Sequence, residues 1–351
     1  MATDFLSTDT EEDTGGRIVK DRCLIIAEAG VNHNGRLDLA LKLCDKAKES
    51  GADVVKFQTW KTENLITRNV GQAEYQKKNT GVDESQFDML KKLELSYDDF
   101  RKVKAHCDEI GIIFASTADE TESLDCLVSL WIPLIKVGSG DIGNVSFLRY
   151  MGSFGLPVIL STGMSTLEDV RISIDALKEG GAKEITVLHC TTNYPCPYKD
   201  VNLKAMITLK EEFGLPVGYS DHTIGKDVSV AAVAMGATVI EKHFTLDKNM
   251  EGPDHLASTE PSEFKSLVDG IRIVESCLGN GRKEPTEEEK KISSVVTKRI
   301  VAKKPIARDE LFSDDNLCVK RNDVGELSRN WDQVIGKKAE RNYQEDEGIE
   351  I

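Results

Sequence analysis

Between about residue 23 and residue 280 the chain repeats one rhythm, a short β-branched run followed by an amphipathic helix. The strand-like runs are Cys23–Ala29, Asp53–Thr59, Ile112–Thr117, Leu134–Gly138, Pro157–Ser161 and Glu184–His189. Two more, Val217–Thr223 and Val239–Thr245, each carry a histidine near their end. Apolar Leu37, Leu39, Ala40, Leu43, Cys44 and Ala47 mark the first helix, closed by Gly51. Two helical stretches over 85–92 and 96–110 precede the third strand, and the polar segment 61–84 reads as a loop. Eight strand–helix units predict a closed (β/α)8 TIM barrel, an α/β fold of roughly 250 residues. An open doubly wound sheet is the alternative, weakened because no GxGxxG follows the first strand.

The 351 residues exceed one such barrel. Residues 1–20 are Asp/Glu/Thr-rich without an apolar run and read as a flexible tail rather than a secretion signal. Residues 21–280 form the expected barrel, 281–294 a Gly/Lys/Glu-rich linker, and 295–351 a small β or irregular module. That module is marked by Arg299–Ala302, Leu317–Lys320 and a helical stretch near Trp331. A net charge of −15 disfavours a nucleic-acid partner. No run of about 18 apolar residues is present, so no membrane partner is expected. The eight cysteines are scattered without a CxxC pair. They read as reduced residues of a cytoplasmic protein, with Cys23, Cys44 and Cys277 in the core and Cys196 in a loop beside the site.

Barrel chemistry sits at the C-terminal strand ends. Read there, the chain offers Glu28; Lys56 and Gln58; Ser116 and Thr117; Lys136, Ser139 and Asp141; Ser161 and Thr162. It continues with His189, Thr191, Thr192 and Tyr194; Ser220, Asp221 and His222; and Glu241, Lys242 and His243. Two lysines amid short hydroxyls suit a carboxylate and a phosphate held together, although each lysine could instead pair with Glu28 or Asp141. His222 and His243 stand 21 residues apart, the length of one strand, a crossover helix and the next parallel strand. Two imidazoles at neighbouring strand ends, with no thiolate, suit a catalytic divalent cation such as Mn²⁺, Mg²⁺ or Zn²⁺. His189 either backs the site or packs in the core, His33 could line the rim, and His106 reads as surface or packing.

Ile25–Gly35 (IIAEAGVNHNG), Val54–Thr59 (VVKFQT), Gly138–Asp141 (GSGD) and Leu160–Met164 (LSTGM) carry a resemblance. So do His189–Pro195 (HCTTNYP), Gly218–Thr223 (GYSDHT) and Glu241–Asp247 (EKHFTLD). Together they resemble the sialic acid synthases, the nonulosonic acid synthase family that includes legionaminic acid synthases. The likeness covers about residues 20–351, the last module resembling that family's antifreeze-like (SAF) domain. It implies a transferase that condenses phosphoenolpyruvate with the open-chain aldehyde of an N-acylated mannosamine and releases phosphate, assisted by a divalent metal, most often Mn²⁺, with Mg²⁺ or Co²⁺ as alternatives. Carried over by position, His222 and His243 bind the metal, and Glu28 acts as acid or base. Lys56, Thr117 and Ser139 hold the phosphoenolpyruvate carboxylate; Lys136, Ser161 and Ser220 hold the phosphate. Thr192 offers a phosphate or sugar contact where some members have Asn, and Tyr194, Asp254 and Asn79 face the sugar. Arg321 matches an arginine that enters the partner subunit's site, which implies a domain-swapped homodimer. Here Asn322 and Asp323 follow it where family members often have Pro-Gly.

The first expectation is N-acetylneuraminate synthesis from N-acetylmannosamine. The alternative is N,N'-diacetyllegionaminate from 2,4-diacetamido-2,4,6-trideoxymannose. More remote are a 3-deoxy-ulosonate-phosphate synthase, which needs a further cation cluster for its phosphorylated aldose, and a non-catalytic sugar- or ice-binding protein.

Overall fold

The computed structural model describes residues 22–71 and 85–351. The chain divides into two compact units, one ending at Gly279 and one running Asn280–Ile351. In the first, eight parallel strands close in sequence order: β1 Leu24–Gly30, β2 Val54–Thr59, β3 Ile113–Ala118, β4 Ile135–Val137, β5 Val158–Ser161, β6 Ile185–Cys190, β7 Val217–Asp221 and β8 Val239–His243. The TIM-barrel expectation is met.

Period-2 alternation divides every strand between two cores. Outward residues such as Ile25, Val55, Phe57, Phe114, Val137, Leu160, Val187, Tyr219 and Ile240 pack against the surrounding helices. Inward residues Leu24, Ile26, Val54, Ala115, Leu134, Ile159, Leu188 and Val239 fill the barrel as a separate apolar plug. β7 contributes Gly218 at this level. A Cβ there would meet Val239 O at 2.3 Å and Leu188 Cδ2 at 2.6 Å, so only glycine fits.

The helices end where local chemistry predicts. Ser85 and Ser96 cap helices Gln86–Leu93 and Tyr97–Ile110 by accepting from Asp88 N and Asp99 N. The segment read as a loop over 61–84 contains a short helix, Thr62–Leu65, pinned by Glu94, which accepts from Thr62 N at 3.0 Å and Thr62 Oγ1 at 2.8 Å.

The stretch 281–294, expected to be a linker, contains most of a helix, Glu287–Val296. Thr286 and Glu289 form a capping box, acidic Glu287–Glu289 lie at the positive end, and Lys290 and Lys291 reach back to Glu287 and Glu288. This helix buries none of its residues, so an apolar-pattern reading has little to detect. The second unit pairs β9 Lys298–Ala302 with antiparallel β10 Leu317–Arg321 over a core including Ile300, Phe312, Leu317, Tyr343 and Ile349. All eight cysteines are free thiols, and Cys277 is exposed on its helix rather than buried in the core. Among the described residues no helix is long and apolar enough to cross a membrane.

Candidate active site

Two residues above the apolar plug, every strand turns polar or thiol at once. Glu28, Lys56, Thr117, Lys136, Ser161, Cys190, Ser220 and Glu241 form this inward layer, and all are buried. Seven of them are read at strand ends in the sequence, Glu241 without an assigned role; Cys190 completes the ring. Strand β6 runs to Cys190 rather than His189, and a one-residue slip exchanges the two faces of a strand. His189 accordingly faces outward, 5.8 Å from the Tyr219 ring, with Nε2 2.6 Å from Val201 O. It belongs to the core.

Four charges alternate across the layer. Lys56 Nζ lies 2.6 Å from Glu28 and 3.8 Å from Glu241, and Lys136 Nζ lies 3.6 Å from Glu241. Lys56 thus does pair with Glu28, within the ring of hydroxyls. It donates to Thr117 Oγ1 at 3.1 Å, Lys136 donates to Ser161 Oγ at 2.7 Å, and Ser220 donates to Glu241 at 3.0 Å. Burial, aided by the charge of Glu241, raises the Glu28 carboxyl to about 7 against the opposing pull of Lys56. Burial also works against ionisation of Glu241, but Lys136 and Lys56 overcome it and bring this carboxyl to about 2. Burial lowers Lys136; for Lys56, Glu241 and Glu28 outweigh the same penalty and hold its pKa above the usual lysine value. Two carboxylates of one type therefore differ: Glu28 can carry a proton near neutrality and Glu241 is a fixed negative charge.

Above this layer the two histidines meet, their ring centroids 5.3 Å apart. His222 Nδ1 lies 2.7 Å from Thr191 O, which assigns the proton to that nitrogen and the lone pair to Nε2. His243 Nδ1 is buried without a hydrogen-bond partner. Burial, with His222 and Lys56 nearby, lowers the His243 pKa well below the usual value, so this ring is a neutral lone-pair donor. Tyr194 packs 4.2 Å from His222 and edge-on to His243 at 5.4 Å.

Ser139 lies on the turn after β4, where its Oγ accepts from Gly163 N at 2.9 Å. Thr192 Oγ1 is buried without a partner, and a Cβ on Gly163 would sit 2.0 Å from it. Asp254 lies in the loop after β8, where burial raises its carboxyl to about 6 and the His222 charge opposes this. Arg321 ends β10 in the second unit and is exposed. Asn79 falls outside the described residues.

One expectation needs correction. His33 is fully buried beside Phe57, with Nδ1 accepting from Gly35 N, and does not line the rim. Cys196 is buried, and burial raises its thiol pKa. A cavity of about 540 Å³ opens beside the barrel mouth, between the loop after β7 and helix Pro261–Leu278, and none of the charged layer lines it.

A family model described as "NeuB family" matches residues 43–283, and one described as "SAF domain" matches 297–350. The chain belongs to the NeuB family. It is 48% identical over 330 residues to the N,N'-diacetyllegionaminic acid synthase of Campylobacter jejuni, covering 93% of this chain and 99% of that protein. It is 47% identical to the N,N'-diacetyllegionaminic acid synthase of Legionella pneumophila, covering 91% of each. Among solved structures, the N-acetylneuraminic acid (sialic acid) synthetase of Leptospira borgpetersenii in complex with citrate superposes with a TM-score of 0.68 at 32% identity, over 77% of this chain and 90% of that one. The likeness to sialic and nonulosonic acid synthases read from the motifs is thus borne out, as are the barrel and the SAF module. Glu241, read in the sequence at the end of the eighth strand without a role, is the residue that counting by two from Val239 puts on the inner face.

Proposed function

We propose that this NeuB-family protein condenses phosphoenolpyruvate with the open-chain aldehyde of 2,4-diacetamido-2,4,6-trideoxymannose, giving N,N'-diacetyllegionaminate and phosphate. The observation that carries the sugar assignment is identity of 48% and 47% with two N,N'-diacetyllegionaminic acid synthases, against 32% with a sialic acid synthetase. This reverses the order of the two expectations drawn from the motifs, which the two sugars satisfy equally because they share the reacting carbons and the 2-acetamido group.

The charged layer supports the reaction type. Lys56 with Thr117, and Lys136 with Ser161, are two ammonium–hydroxyl pairs for the carboxylate and phosphate of phosphoenolpyruvate. Ser139, Ser220 and Thr192 add neutral donors, and Tyr194 and Asp254 face the sugar. Substrate charge beside the lysines draws them off Glu28 and raises its proton affinity further. Glu28 then enters as the acid. C3 of phosphoenolpyruvate attacks the aldehyde carbon, and Glu28 protonates the oxygen as the C–C bond forms. Glu28, now a carboxylate, takes a proton from the water that adds at C2. The C2–O bond breaks, the C2 hydroxyl becomes the ketone, and its proton leaves with phosphate.

His222 and His243 fit a divalent cation: Thr191 O holds a His222 proton at Nδ1, which leaves Nε2 as the nitrogen a cation would take once deprotonated, and His243 Nδ1 is buried and unpartnered. Among the described residues no group of three or more His, Cys, Asp and Glu is arranged to hold a metal ion, so water and substrate complete the shell, as suits Mn²⁺ or Mg²⁺. When bound, the cation supplies Lewis acidity toward the aldehyde oxygen. The free thiols favour a reducing, cytoplasmic setting. Arg321 completes the site from a partner subunit, in a homodimer.

The test is phosphate release from phosphoenolpyruvate with each sugar, with and without a chelator. Release with the 6-deoxy diacetamido sugar at a kcat/KM at least about tenfold above that for N-acetylmannosamine is expected, because a site matched to one substituent pattern discriminates by that order. Preference for N-acetylmannosamine moves the assignment to N-acetylneuraminate, and release with neither sugar overturns the reaction.

A further inference from the structure

The loop leaving β1 grips the loop leaving β8 on both sides of Asp254. Asn34 Nδ2 donates to Glu251 O at 2.8 Å. His255 Nε2 lies 3.1 Å from Asn34 Oδ1. Because the Asn34 amide nitrogen is committed to a carbonyl, its oxygen is the acceptor and His255 donates from Nε2. His255 Nδ1 then accepts from Thr245 Oγ1 at 2.7 Å, which settles the orientation of the ring. Two residues before Asn34, Asn32 Nδ2 donates to Phe244 O and Ser258 Oγ, each at 2.9 Å. Ser258 Oγ in turn donates to Asp254 O at 2.6 Å.

The arrangement costs backbone freedom at two positions. Asn34 adopts φ +51, a left-handed conformation that asparagine tolerates better than other residues with a side chain. Gly252 has φ +152, and a Cβ there would lie 2.6 Å from His255 Cδ2 and 2.8 Å from Asn34 Oδ1. Strain is accepted where the two loops interlock. The gripping loop follows β1, the strand of Glu28, and Phe244 N donates to Glu28 O at 2.7 Å where β8 leaves the barrel. One polar network therefore ties the backbone at Asp254 to the strand bearing Glu28.

We propose that Asn34, acting with His255, is a positioning residue for the acceptor sugar: it sets Asp254 over the site and so governs sugar binding rather than phosphoenolpyruvate binding. This rests on the reading that Asp254 faces the sugar. Asn34 touches no part of the charged layer, so its effect must pass through the loop.

The test uses Asn34→Gly in the full chain, since glycine adopts φ +51 freely and the change removes only the side chain. The KM for the sugar rises about tenfold while the KM for phosphoenolpyruvate stays within about twofold, as expected for loss of one substrate's positioning. In an Asp254→Ala background the same change adds nothing, because both act on one contact. Amide hydrogen exchange over 247–258 accelerates while that of the barrel strands does not. Equal rises in both KM values, or effects of Asn34→Gly and Asp254→Ala that multiply, overturn the proposal. If the parent protein turns over no sugar, the proposed reaction has failed, and unchanged exchange over 247–258 in Asn34→Gly still overturns the positioning role.

Discussion

Lys242 donates to Asp221 at 2.8 Å on the outer wall of the barrel, one residue before each imidazole of the His222–His243 pair. The two are cross-strand partners of β8 and β7. The ion pair is embedded in further hydrogen bonds: Asp221 also accepts from Ser229 Oγ, Thr223 N and Thr223 Oγ1, and Lys242 also donates to Thr223 O. It fixes the backbone from which both histidines project inward.

Breaking that pair exposes its structural role. Lys242→Met leaves the Asp221 charge buried without its cation, a change that costs roughly 3–5 kcal/mol. Adding Asp221→Asn should return much of this, because the uncompensated charge is gone. Urea denaturation of the parent, single and double variants measures both, and a double variant no more stable than Lys242→Met would contradict the account.

Glu28 gives the reaction a pH dependence of definite sign. Its carboxyl is raised from 4.5 to about 7 by burial, so the acid form persists through mildly acidic pH and is lost above about 7. The kcat/KM profile should be level below that point and fall about tenfold per pH unit above it. Glu28→Gln should lower kcat by about 10²–10⁴-fold, the usual contribution of a positioned acid–base group, and abolish this limb. A limb near 7 that survives the substitution belongs to another group.

Removing an imidazole tests the cation independently of turnover. His222→Ala should weaken Mn²⁺ binding, read by titration calorimetry, by more than the roughly 100-fold that loss of an outer partner of a metal ligand can cost. Activity in the parent should vanish with chelator and return with Mn²⁺. Undiminished Mn²⁺ affinity in the variant would place the metal elsewhere.

Arg321 predicts complementation between two inactive chains. Arg321→Ala and Glu28→Gln should each be nearly inactive alone. Mixed and allowed to exchange subunits, they should regain activity, because one barrel with an intact Glu28 then receives an intact Arg321 from its partner. No recovery despite demonstrated exchange would confine Arg321 to its own subunit or remove it from the site.

The sequence by itself determined the eight-fold alternation, the polar strand ends, the histidine pair and the family. Each is a local matter: a run of β-branched residues, a capping serine, a motif a few residues long. The helix Glu287–Val296 escaped because its stability lies in caps and charge pairs along one exposed segment rather than in a buried stripe. Tertiary structure alone decided which of two adjacent residues faces the barrel axis. A strand's side chains alternate, so a boundary error of one residue exchanged Cys190 for His189, and only the closed register shows which is inside. It also decided why burial lowers the pKa of Lys136 while that of Lys56 is raised, and why two glutamates differ in proton affinity. Those properties come from Glu241 lying near both lysines while Glu28 meets one, distances that closure of the barrel creates between Glu241 and lysines more than 100 positions away.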